Sequence, residues 1–171
     1  YHRSPAPWIQ IKIMQILSML GRNDQKASEH IYEILSQALR RAEDRTNNIG
    51  FAIIFQCILT AAAIYPQQSL LIEAASCISK CLESSSANLK YLGIRGLGEI
   101  FKSYPKILEE HQMTVVDCLE SKDETLKKLT LDLLFKMTNG SNIEVITKKM
   151  LATLHSSTDP YFRQNLVAKI S

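Results

Sequence analysis

Apolar residues recur along this chain at the three-and-four spacing of helices, and strict alternation over a strand's length is missing. Two stretches repeat one another. LKYLGIRGLGEI (Leu89 to Ile100) aligns with LKKLTLDLLFKM (Leu126 to Met137), so Leu89, Leu92, Ile94, Leu97 and Ile100 fall against Leu126, Leu129, Leu131, Leu134 and Met137. The offset is about 37 residues. Ile11, Ile13, Ile16 and Met19 repeat the same spacing near the start, and Ile53, Phe55, Ile58 and Ala61 repeat it between.

Helix punctuation follows that period. Pro7 suits a first helical turn and Gly21 a C-terminal cap. Asp24 caps a second helix running to about Glu43, and Asn47 or Asn48 opens a third that stops near Tyr65-Pro66. A fourth runs from Ser69 to about Leu82, followed by a polar loop from Ser84 to Asn88. A fifth spans Leu89 to Ser103 before Tyr104-Pro105, and a sixth about Lys106 to Leu119. Asp123 or Thr125 starts a seventh that ends at Asn139-Gly140. An eighth covers about Asn142 to Leu154, and Thr158 or Asp159 caps a ninth with Pro160 in its first position. The expected fold is all-α: an α-solenoid of HEAT/armadillo-like antiparallel helix pairs, about nine helices in a right-handed superhelical stack. Residues 1–171 are expected to form one such segment.

The fifth helix explains why such units must stack. Its apolar arc runs from Leu92 through Leu89, Ile100 and Leu97 to Ile94 and Phe101, about 200° at 100° per residue and wider than the stripe of a surface helix. Gly93 and Gly96 lie in that arc. Each costs about 1 kcal/mol relative to Ala in a helix interior, which close approach of a neighbouring backbone would offset.

Composition sharpens this little. The chain is 46% hydrophobic and 22% charged, with six Gly and five Pro, as expected of a packed helical domain and not of a disordered segment. No apolar run reaches the ~18 residues of a membrane span, and YHRSPAPWIQIK is not a signal peptide. The start lacks Met, and the chain is expected to be an excerpt from something longer. A net charge of +3 does not point to nucleic acid. Cys57, Cys77, Cys81 and Cys118 form no C-x-x-C pair and are expected to be reduced, buried core residues of a cytosolic protein. Cys77 and Cys81 share a helix face, but no His or third Cys is spaced to complete a zinc site.

Catalytic motifs are missing: there is no phosphate-binding loop, H-E-x-x-H or G-x-S-x-G. His2, His30, His111 and His155 are scattered, with no acidic partner at helical spacing that suggests a catalytic pair. Glu109-Glu110 and Asp123-Glu124 read as solvated carboxylates at helix ends. The chain is therefore read as a non-enzyme with no cofactor and no metal. The candidate contact residues are basic: Arg40, Arg41 and Arg45, Lys127 and Lys128, and Lys148 and Lys149. They suit anionic lipid, a small GTPase or an acidic partner surface. The competing reading is solubilising charge near helix ends, with Arg40 and Arg41 favourable to the helix dipole. Trp8 and Tyr91 are expected to seal helix contacts in the core.

Several segments carry a family likeness. PAPWIQIKIMQILSMLGRND (Pro5 to Asp24), NNIGFAIIFQCI (Asn47 to Ile58), NLKYLGIRGL (Asn88 to Leu97), HQMTVVDCLESKDETLKKLTLDLLFKMTN (His111 to Asn139) and NIEVITKKML (Asn142 to Leu151) resemble the large-subunit trunk of heterotetrameric vesicle adaptor complexes. The PAPW start, the NLKYLG stretch and HQMT followed by DCLE make the likeness strongest to the epsilon type of adaptor protein complex four. Gamma and alpha types share the looser LGRND and NIG-AI elements. The resemblance implies a curved helical trunk that pairs with beta, medium (mu) and small (sigma) subunits. It also implies recruitment by an Arf-type small GTPase to trans-Golgi membranes, peripheral and cytoplasmic, for cargo sorting. SQALRRAEDRTNN (Ser36 to Asn48) and LESSSAN (Leu82 to Asn88) depart from the family pattern, so no particular subunit contact transfers to them. A different solenoid binder, such as a nuclear-transport receptor or phosphatase scaffold, is the alternative.

Overall fold

Helix-terminating residues divide the chain where the sequence pattern places its breaks. The computed structural model describes residues 6–43 and 48–170. Among them run nine α-helices and no strand: α1 (Pro7–Leu20), α2 (Gln25–Glu43), α3 (Asn48–Ala63), α4 (Gln68–Ser79), α5 (Ala87–Ser103), α6 (Leu108–Asp117), α7 (Glu124–Met137), α8 (Ile143–Ser156) and α9 (Pro160–Ile170). Short 3₁₀ turns, Pro105–Ile107 and Cys118–Glu120, flank α6 and take up the ends of the longer sixth helix expected from sequence. The expected all-α solenoid is the observed fold.

Caps account for several boundaries. Asp24 Oδ1 accepts from the Ala27 N–H at 3.0 Å, and Asp123 Oδ1 from the Leu126 N–H at 2.7 Å, satisfying donors that a helix start leaves open. Asp159 accepts from the Tyr161 N–H, with Pro160 as first residue of α9. Gly21 does follow α1, but its φ is −81° and the left-handed turn is at Asn23, φ 62°. Gly21 is needed for space: a Cβ there would lie 2.7 Å from Ile64 Cγ2.

The helices form two layers. Odd-numbered helices pack against their odd neighbours in sequence, α1 on α3, α3 on α5, α5 on α7 and α7 on α9. α2 lies between α3 and α4, and α4 between α3 and α5. An odd helix inside the stack therefore meets neighbours on most sides, as its wide apolar arc requires. Thus α3 buries Ile53, Ile54, Gln56, Cys57, Ile58, Thr60 and Ala61. On α5, Ile94, Leu97 and Ile100 are buried, and Leu89, Leu92 and Phe101 pack against the core from its edge.

Polar side chains pin the layers together. The Ser28 hydroxyl lies 2.9 Å from the Gly21 carbonyl and 2.7 Å from that of Asp24, and accepts the Tyr65 N–H at 3.1 Å. That one buried oxygen ties the α1–α2 turn to the end of α3. Tyr32 donates to the Tyr65 carbonyl at 2.8 Å, and Ser36 and Arg40 both donate to Glu73, joining α2 to α4.

The glycines of α5 are explained by side chains and not by a neighbouring backbone. A Cβ on Gly93 would stand 2.5 Å from Leu82 Cδ2, and one on Gly96 2.8 Å from Ile78 Cγ1. Residues of α4 and the turn after it fill the two slots, so the expected backbone approach is replaced by knobs of Leu and Ile.

Candidate functional site

Functional surface in a solenoid is whatever its packed faces leave over. The six basic candidates among the described residues do not assemble into one site. Arg40 and Arg41 end α2, whereas Lys127 and Lys128 begin α7 and Lys148 and Lys149 lie on the helix after it, α8. Arg45 lies outside the described residues, as do Asn47 and His2.

Four of them are occupied within the chain. Arg40 Nε stands 3.1 Å from Glu73 Oε1, and Lys148 Nζ 2.7 Å from Glu144. Lys127 pairs with Glu124 at 2.9 Å, and its ammonium sits 5.6 Å from the centroid of the buried Phe162 ring, which makes it a link between α7 and α9. Lys149 reaches Glu120 at 2.6 Å across from α8 to the turn after α6. Their hydrogen bond and mutual attraction hold the Glu120 carboxyl below its ordinary value and the Lys149 ammonium above its own. Arg41 and Lys128 are exposed and make no ion pair among the described residues.

The cysteines behave as core residues. All four are buried and unbridged. Cys57 Sγ is 3.2 Å from Met14 Sδ, and burial pushes its thiol up to about 12 and that of Cys81 to about 11. Such thiols are inert at neutral pH. His111 is half-buried and desolvation lowers its pKa, while His30 and His155 are exposed. No group of three or more His, Cys, Asp or Glu among the described residues is arranged to hold a metal ion. Among the described residues no helix is long and apolar enough to cross a membrane.

The surface that sequence reasoning missed is apolar. Tyr91 packs against the core as expected, but Trp8 is 65% exposed. The repeat spacing also misplaces α1: Ile13, Ile16 and Met19 match the buried Ile94, Leu97 and Ile100 in spacing, yet all three are exposed. The face of α1 turned to α3 instead carries Met14, against Cys57 and Thr60, and Gln15, bonded to Gln56. The signal was present in the sequence, because Ile9, Ile13, Ile16 and Leu20 form a second stripe, also at helical spacing. A groove of about 280 Å³ beside that stripe is lined by Ile13, Met14, Ile34 and Ala38, with Arg41 at its rim.

A two-layered solenoid with inert thiols and an open apolar edge agrees with the resemblance carried by the sequence segments. The family model described as the adaptin N-terminal region matches residues 2–171. The chain belongs to the adaptin family. It is 46% identical over 171 residues to the human AP-4 complex subunit epsilon-1, a match covering 100% of this chain and 15% of that protein. It is 44% identical over 169 residues to the AP-4 complex subunit epsilon of Arabidopsis thaliana, covering 99% of this chain and 18% of the relative. Identity to the AP-1 complex subunit gamma of Dictyostelium discoideum is 30% over 164 residues, 96% of this chain and 18% of the relative. Within the adaptins this chain is thus more similar to these epsilon subunits than to that gamma subunit. It spans less than a fifth of the length of each of these relatives.

Proposed function

We propose that these residues are one solenoid segment in the trunk of a large adaptor subunit of the epsilon type. It is a non-catalytic scaffold in a heterotetrameric complex that sorts cargo into vesicles at the trans-Golgi network. The observation that carries this reading is identity of 46% and 44% to two epsilon subunits across essentially the whole chain. Partners in this reading are beta, medium and small adaptor subunits, with an Arf-type GTPase bringing the assembly to the cytoplasmic face of the membrane. A stack of packed helices suits that work, because it presents long surfaces held rigid by a continuous core. Of the seven basic candidates, Arg41 and Lys128 are the proposed contacts with a partner or the membrane surface, since Arg40, Lys127, Lys148 and Lys149 are engaged within the chain.

The test is mass spectrometry of what copurifies with the tagged complete polypeptide from its own cells. Stoichiometric beta, medium and small adaptor chains are expected. Recovery of nuclear cargo or phosphatase subunits in their place would replace this function with that of another solenoid binder.

A further inference from the structure

α5 and α7 are neighbours in the odd layer, and the loops that precede them share one edge of the stack. The offset of 37 residues that aligns Leu89 with Leu126 sets Lys122 at the place of Ser85 one unit on. Ser85, Ala87 and Lys90 from the first unit, with Ser121, Lys122 and Asp123 from the second, line one cavity of about 540 Å³. Neither lysine makes an ion pair among the described residues.

The carboxylates around Lys122 are all engaged elsewhere. Glu120 holds Lys149 at 2.6 Å, Glu124 holds Lys127 at 2.9 Å, and Asp123 Oδ1 accepts the Leu126 N–H at 2.7 Å. Lys90 is half-buried in the first turn of α5, and its charge reaches across to the end of α6: burial raises the Cys118 thiol, and Lys90 opposes that rise. Two ammonium groups lining one cavity both gain from an anion placed between them. The loop before α5 offers three serines. Ser84 accepts the Ser86 N–H at 3.1 Å through its hydroxyl, and Ser86 is half-buried. Ser85 is exposed, lines the cavity, and has no hydrogen-bond partner for its hydroxyl among the described residues.

We infer that Ser85 is a phosphorylation site whose phosphate is held by Lys90 and Lys122, fastening the loop before α5 to the loop before α7. The donor is ATP, acting through a protein kinase. A bond forms from the γ-phosphorus to Ser85 Oγ as the bond to the bridging oxygen of ADP breaks, and the hydroxyl proton leaves through the kinase's base to solvent. The new group carries a charge of about −1.5 to −2 and three acceptor oxygens, which suits two ammonium groups in charge-assisted hydrogen bonds. Phosphorylation thereby removes two free cations from this edge and joins consecutive units of the stack across it. None of these residues is among the contacts proposed above with a partner or the membrane, so the two readings fail separately.

Two measurements on the complete polypeptide decide the matter. In the first, the protein is isolated from its own cells under phosphatase inhibitors and its peptides are read by mass spectrometry. Phosphate on Ser85 is expected; an unmodified Ser85, or phosphate confined to Ser84 or Ser86, would overturn the assignment. In the second, phosphoserine is installed at position 85 during translation and its removal by alkaline phosphatase is timed. Removal is expected to quicken about fivefold when Lys90→Gln and Lys122→Gln are combined, since two ion pairs are lost, and to slow again with Lys90→Arg and Lys122→Arg. Lys122→Gln alone, at an exposed site, repeats the measurement if the double variant does not fold. Equal rates with and without the lysines would overturn their role. Hydrogen exchange at Ser121, Lys122 and Asp123 is expected to slow with the phosphate only when both lysines are present. Exchange there that ignores the phosphate would overturn the link between the loops.

Discussion

Helices α1 and α3 are both strongly apolar, α1 through Ile, Leu and Met and α3 through Ile, Ala and Phe, yet they live in different environments. α3 buries residues on nearly every side, and its polar Gln56 and Thr60 are absorbed into hydrogen bonds with α1. α1 buries Pro7 and Met14, and leaves Trp8, Ile9, Ile16, Met19 and Leu20 more than half exposed. The difference between them is position in the stack and not composition. An apolar helix is stabilised by the neighbours it receives, and here α3 has four while α1 has its principal packing partner on one side.

The sharpest way to break this comparison is to truncate an isoleucine on each helix. Ile58→Ala, at a fully buried site of α3, is expected to cost about 2–5 kcal/mol in urea unfolding. In the 171-residue chain, Ile16→Ala on α1 is expected to stay within about 0.5 kcal/mol. Equal losses would mean that α1 is as well covered as α3.

Next comes the seam between α4 and α5. Gly96→Leu is expected to destabilise by about 1–3 kcal/mol, since even its Cβ would sit 2.8 Å from Ile78 Cγ1. Gly98→Ala meets only Leu133 Cδ1 at 3.9 Å and is expected to raise stability by up to about 1 kcal/mol through helix propensity. A melt in which both substitutions act alike would show that the tight slot at Gly96 is not there.

Thr60→Val tests the contact between α1 and α3. It keeps the shape and removes the hydroxyl bonded to the Met14 and Gln56 carbonyls, for an expected loss of about 0.5–1.5 kcal/mol in thermal or urea unfolding. No loss would mean that apolar packing alone joins the two helices.

The smallest effect is at His111 on α6, away from both helices. Burial lowers its pKa, so the unfolded chain binds the extra proton more readily. The stability that neutral His111 contributes is therefore present above the ordinary histidine value and declines as pH falls through and below it. An NMR titration of the ring is expected to show a midpoint under that ordinary value, and a midpoint above it would reverse the sign.

Much of the architecture was legible before any coordinates. Leu92, Ile94, Leu97 and Ile100 predicted the buried arc of α5, Asp24 and Asp123 predicted caps that form, and Tyr104-Pro105 predicted a break. These succeed because hydrogen bonding at a helix end and 100° periodicity are local properties of the chain. The same reasoning misread Trp8 and the register of α1. Spacing alone does not tell which of two equally apolar stripes meets the neighbour.

The candidate contact residues show the same division. A run such as Lys127-Lys128 is visible in sequence, but that Lys127 lies over Phe162 while Lys128 faces solvent depends on where α9 docks. The sequence by itself determined that this chain is a set of amphipathic and apolar helices repeating at about 37 residues, with the cysteines inside. Its segments also carried the family likeness. Only the tertiary structure decided that Gly93 and Gly96 accept Leu82 and Ile78, that four of the basic residues are occupied internally, and that one side of α1 stands open. Each of these is a fact about which face meets which neighbour. Such contacts join residues far apart in the chain and are set by packing, which local propensity does not encode.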